Sequence, residues 1–138
     1  MTIDEQLYTP LAARLRRGEV LSVDCPSRHV LKHMTSRWGV LVLVVLIDGT
    51  HRFSDLRRKI GGISEKMLAQ TLQGLEGDGL VQRFSHPVVP PHVEYSLTPL
   101  GSEAAAKVEA MVDWIEDRLP AILQIRREKA DSALNQTT

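Results

Sequence analysis

Lys66 and Gln70 stand four residues apart in the 138-residue chain, with Ser64 and Thr71 flanking them. On a helix that spacing puts the ammonium and the amide on one face. Long side chains of this kind suit a major groove, where glutamine pairs with adenine and lysine with guanine or a phosphate. Cys25 is the single cysteine, so no disulfide can form within the chain and no multi-cysteine metal site exists. Cys25, His29 and His33 fall at four-residue steps, but three donors on one exposed helix face with no fourth make a poor zinc site. No metal and no cofactor are expected. A nucleophile-base-acid set and a phosphate-binding glycine loop are also missing, which argues against an enzyme.

These groups need elements to hold them. Gly61 and Gly62 end whatever precedes, Ser64 can cap a helix through its hydroxyl, and Gly77-Asp78-Gly79 stops that helix. Leu68, Leu72 and Leu75 give it an apolar back, and Ile63 leads in as a staple residue. Upstream, Ser54 caps a short helix through Ile60 in which Leu56 and Ile60 face inward. A short helix, a glycine turn and a second helix with a polar front make a helix-turn-helix layout. Downstream, residues 80–85 read as a strand and residues 93–97 as its return, since Val93, Tyr95 and Leu97 sit at period two. The proline-rich residues 87–91 cannot pair throughout and form the loop between them. The hairpin is a wing, with Arg83, His86 and His92 near its base or tip.

The remaining stretches frame this unit. Residues 1–24 form an N-terminal arm with a weak helical pattern through Leu7, Leu11 and Leu15, broken by Pro10 and Gly18. Cys25-Pro26 looks like a helix start, with proline at the first helical position. Residues 40–47 are apolar and β-branched enough for a buried strand, or for a fully buried helix, and periodicity does not separate the two. Thr98-Pro99 starts a last helix, in which Val108, Met111, Val112, Ile115, Leu119 and Ile122 keep helical spacing. That stripe exceeds the needs of a small core and reads as a homodimer interface. Pro120 should kink or divide the helix. Residues 126–138 are polar and expected to be disordered.

Composition is that of an ordinary soluble protein, 25% charged and 43% hydrophobic, with zero formal net charge. The charges are not evenly spread. Residues 28–86 hold nine Lys/Arg against five Asp/Glu, whereas residues 87–138 hold five against eight. A basic middle between acidic flanks is the local footprint that DNA binding needs. No apolar run approaches the about 18 residues of a membrane span, and Asp4 and Glu5 stand where a signal peptide is basic. The protein is expected to be cytoplasmic.

Cys25-Pro26, Arg37-Trp38, Arg52-Phe53-Ser54-Asp55-Leu56, Gly62-Ile63-Ser64, Leu75-Glu76, Asp78-Gly79-Leu80-Val81, Pro90-Pro91 and the run from Val93 through Gly101 together resemble the HxlR-type winged helix-turn-helix regulators, relatives of the MarR group. The resemblance covers about Cys25 to Trp114. It implies a mainly α protein with a small β-hairpin wing and N- and C-terminal dimerisation helices around a DNA-binding domain of residues 25–101, with residues 102–125 as the C-terminal dimerisation helix. It also makes residues 40–47 a helix. The family has Gly-Gly-Lys-Trp before that helix where this chain has Thr35-Ser36-Arg37-Trp38. The implied activity is homodimeric transcription regulation, as a repressor on a pseudo-palindromic operator in double-stranded DNA. Ser64, Lys66, Gln70 and Thr71 are then the contacts from the recognition helix, and Arg52, Arg57 and Arg83 reach phosphates. Cys25, at a helix N-terminus near Arg28, is a candidate sensor of a small electrophile or oxidant, with a small buried packing residue as the plain alternative. A winged helix used for protein contact alone is the rival to DNA binding.

Overall fold

The computed structural model describes Pro10, Ala13, residues 21–23 and residues 25–136. The N-terminal arm expected over residues 1–24 therefore lies almost wholly outside the described residues. Helix α1 (Pro26–Thr35) starts with Cys25 at the cap position and proline next, as the sequence predicts, although no side chain caps it. Ser36 is both the end of α1 and the cap of α2 (Arg37–Leu46), its oxygen accepting from Gly39 N at 3.1 Å.

The apolar residues 40–46 are thus helical, with Ile47 at the C-cap, although valine favours strands. Val42, Leu43 and Leu46 are fully enclosed at 2% exposure or less. Such burial on one side, with the helices Glu65–Gly77 and Pro99–Gln136 packed against α2, overrides the strand propensity of each valine. Each buried leucine contributes about 1.5–3 kcal/mol.

A two-residue strand, β1 (His51–Arg52), leads into α3 (Phe53–Lys59). That helix begins two residues earlier than expected. Arg52 occupies the cap position with no side-chain cap bond, so Ser54 lies inside the first turn instead of capping it. The glycine turn follows, with Gly62 at φ +84°, a backbone conformation that favours glycine. Helix α4 (Glu65–Gly77) begins where Ser64 Oγ accepts from Met67 N at 3.1 Å. It closes on Leu80 N bonding Leu75 O at 3.0 Å and Gly79 N bonding Glu76 O at 2.9 Å. Ile63, Leu68, Leu72 and Leu75 are all buried in one cluster with Leu56, Ile60 and the α2 residues.

Strands β2 (Val81–His86) and β3 (His92–Leu97) form the hairpin, and the antiparallel sheet has the order β1-β3-β2. Registration pairs Val81 with Leu97, Arg83 with Tyr95 and His86 with His92. Val93, Tyr95 and Leu97 therefore face the core, and His92, Glu94 and Ser96 the other side. Helix α5 (Pro99–Gln136) is joined to this body at its first turns. Thr98 Oγ1 donates to Gly79 O at 2.5 Å and accepts from Gly101 N at 3.0 Å, which fixes the helix start as the sequence predicts. Gly101 lies so close to Leu80 that a Cβ there would sit 1.7 Å from its carbonyl oxygen.

Three expectations for α5 are corrected. The helix is continuous through Pro120, so proline does not divide it. The carbonyl it leaves without a partner, that of Glu116, belongs to an exposed residue, where water can serve it. The helix also runs on to Gln136 through residues expected to be a disordered tail. Finally, Val108, assigned to the dimer stripe, is 4% exposed and packs into the chain's own core.

Candidate nucleic-acid interface

With Leu68, Leu72 and Leu75 turned inward, Lys66 and Gln70 are exposed on the opposite face of α4. Among the described residues no ion pair engages Lys66 or Arg83, so their charges face outward uncompensated. Ser64 is exposed, and although its oxygen accepts from Met67, its hydroxyl proton remains for a ligand. Thr71 is half-buried and its hydroxyl donates to Met67 O at 2.7 Å, which leaves only its lone pairs for a base or phosphate.

The arginines divide into two kinds. Arg57 Nη1 lies 2.9 Å from Glu65 Oε1, both side chains well exposed, so a phosphate would have to displace a carboxylate. Such an exposed pair is worth little. Arg52 and Arg83 are exposed on the sheet. Arg58 pairs with Asp55, and the Arg58 side chain is the first cause of an Asp55 pKa below the ordinary carboxylate value. Lys59, a neighbouring exposed cation, has an internal partner: its Nζ lies 2.8 Å from His51 Nε2. His51 Nδ1 in turn lies 2.7 Å from Gly49 O, so the ring bridges the turn and Lys59.

Among the described residues, Cys25, His29 and His33 of the α1 zinc alternative do not converge as a donor group. His33 Nδ1 lies 2.6 Å from Asp78 Oδ2, tying α1 to the end of α4, and Cys25 is buried. Arg28, expected to polarise that thiol, donates to Leu21 O at 3.3 Å. The one group of converging metal-type donors among the described residues is instead His86, His92 and Glu94 on the wing. Sequence reasoning placed both histidines on the hairpin but gave them no joint role, because residues 87–91 separate them and only strand pairing brings Glu94 in.

An exposed polar helix front beside a three-stranded wing is a geometry shared with known proteins. The chain matches the HxlR-like helix-turn-helix family over residues 33–122. It belongs to that family. It is 64% identical over 120 residues, 87% of this chain and 95% of the relative, to YtfH of Escherichia coli K12, an uncharacterised HTH-type transcriptional regulator. The structure of ytfH from Salmonella typhimurium, a candidate transcriptional regulator, superposes with a TM-score of 0.76 at 68% identity, covering 78% of this chain and 96% of that one. The redox regulator HypR in its oxidised form gives 0.62 at 38% identity, covering 67% and 96%. The HxlR family assignment makes this chain a transcriptional regulator with a helix-turn-helix DNA-binding fold, not an enzyme. No described helix is long and apolar enough to cross a membrane.

Proposed function

We propose that the protein acts as a homodimeric repressor on a pseudo-palindromic operator, with α4 in the major groove and the β2–β3 wing against the backbone. The observation that carries the reading is the outward-facing Lys66 and Gln70, without partners among the described residues, on a helix whose other face is locked into the core. Base contacts need a rigid presenting element, and phosphate contacts need cations without internal partners. Dimerisation rests on α5 beyond Val108, where Met111, Ile115 and Leu119 are exposed and Val112 and Ile122 half-buried in a single chain. Two such helices side by side would cover that stripe and set two recognition helices at the spacing of adjacent major grooves.

A salt titration of binding to the promoter beside the protein's own gene tests this. Tight, sequence-specific binding is expected, and Lys66→Ala and Arg83→Ala should each lower the salt slope by about 1 if they contact phosphate. No specific binding by a folded protein would sink the reading and leave the wing as a protein-contact surface.

Sensing through Cys25 is the finer part of the proposal, supported by the thiol's place at a helix N-terminus and by the likeness to HypR, a redox regulator. With one cysteine per chain, a two-electron oxidant such as diamide must join Cys25 to the partner's Cys25 or to a small thiol. Diamide should then release DNA from the wild type and not from Cys25→Ser. Release that persists in the variant removes Cys25 from the mechanism.

A further inference from the structure

The outer face of the wing carries a cluster that DNA recognition does not use. On β2 it holds His86, and on β3 His92 and Glu94, two residues apart and therefore on one side of the strand. His86 and His92 are register partners, so Glu94 is the diagonal neighbour of His86. The two imidazoles stack with centroids 4.4 Å apart. Glu94 Oε2 lies 3.0 Å from His86 Nε2, and Oε1 lies 3.4 Å from His92 Nε2. All three donor atoms are within 4.8 Å of one another. His86 Nε2 is buried against the Glu94 carboxylate, and the His86 side chain is the first cause of a Glu94 pKa below the ordinary carboxylate value.

We propose that His86, His92 and Glu94 form a site for a divalent transition-metal ion of the zinc class on the wing. Two imidazoles and one carboxylate are the donor set of open zinc sites, where water takes the fourth position. Bonds of about 2.0–2.1 Å in a tetrahedron place donors about 3.3 Å apart; the three donors already lie within 4.8 Å of one another, with each imidazole close to one oxygen of Glu94, so small side-chain rotations bring them to that spacing. Imidazole donors favour zinc, cobalt or nickel over magnesium and calcium, which take oxygen. The ion would take the place of the proton between the buried His86 nitrogen and Glu94. The site lies where the hairpin opens into residues 87–91, so an ion there ties the last pair of β2 and β3 together. Phe84, 4.6 Å from the His86 ring and edge-on to it, walls one side. Arg52, across β1 from Glu94 in register, is the cation the site must tolerate.

Zn2+ titration calorimetry and Co2+ visible absorption on the full chain test the site without reference to DNA, so its failure is separable from failure of the regulator reading. One ion per chain is expected, with tetrahedral Co2+ bands and no thiolate charge-transfer band. His92→Gln and Glu94→Gln, both at half-buried surface positions, should keep the wild-type circular dichroism and weaken binding at least about tenfold, whereas His29→Gln should not weaken it. Unchanged affinity in both wing variants, a thiolate band lost in Cys25→Ser, or no Zn2+ binding up to millimolar concentration would each overturn the site. On the regulator reading, Zn2+ should also change promoter affinity in the wild type and not in His92→Gln. Promoter affinity indifferent to Zn2+ in a protein that binds it would overturn that coupling.

Discussion

Helices α4 and α5 carry the same kind of apolar stripe, and only one of them is satisfied within the chain. In α4, Leu68, Leu72 and Leu75 are all buried at 1% exposure or less, and both ends are fixed by a cap and a glycine turn. In α5 the stripe is covered only at its start, through Gly101, Ala105 and Val108. Beyond that, Trp114 is 59% exposed and Ile115, Leu119, Leu123 and Ile125 are all exposed as well. Helical spacing says that an apolar face must be buried and does not say against what. The apolar face of α4 holds it rigid so that its polar face can act, whereas α5 presents its own apolar face.

The largest test of that contrast is Leu72→Ala. Removing a fully enclosed side chain should destabilise the domain by about 2–5 kcal/mol, read by chemical denaturation, and should blunt DNA binding only through unfolding. Ile115→Asp with Leu119→Asp should do the reverse. Light scattering should show a dimer becoming a monomer, while the circular dichroism of the winged domain stays that of the wild type and only the stability contributed by association is lost. A mutant chain that stays dimeric would put the interface elsewhere. The smallest effect belongs to Asp55→Asn on α3. The folded-state pKa of Asp55 is lowered, by Arg58 first, so its contribution is present above the ordinary carboxylate value and lost as pH falls through the lowered one. Because the pair is solvent-exposed, the variant should differ little from the wild type at pH 7, and any gap in melting temperature should close in acid.

The candidate interface was largely legible before folding. Ser64, Leu68, Leu72 and Gly79 define a capped amphipathic helix by residue type alone, and Thr98-Pro99 marks the next start equally well. What could not be read were the internal partners of the polar groups. Arg57 on Glu65 and Lys59 on His51 look like free cations in sequence, because the groups that engage them lie eight residues away, in or beyond a turn whose geometry spacing does not supply. The exposure of Lys66 and Gln70 was predicted from periodicity; the uncompensated charge of Lys66 was not.

By itself the sequence determined where α1 and α5 begin and where α4 begins and ends, since caps, glycines and prolines act on the neighbouring backbone within a few residues. It also determined which face of each helix is apolar. Tertiary structure decided the state of residues 40–47, where burial against α4 and α5 outweighs the strand preference of valine. It decided that Val108 belongs to this chain's core while Ile115 is left for another surface. It alone assembled His86, His92 and Glu94, because strand register, not sequence spacing, sets which side chains meet across a hairpin.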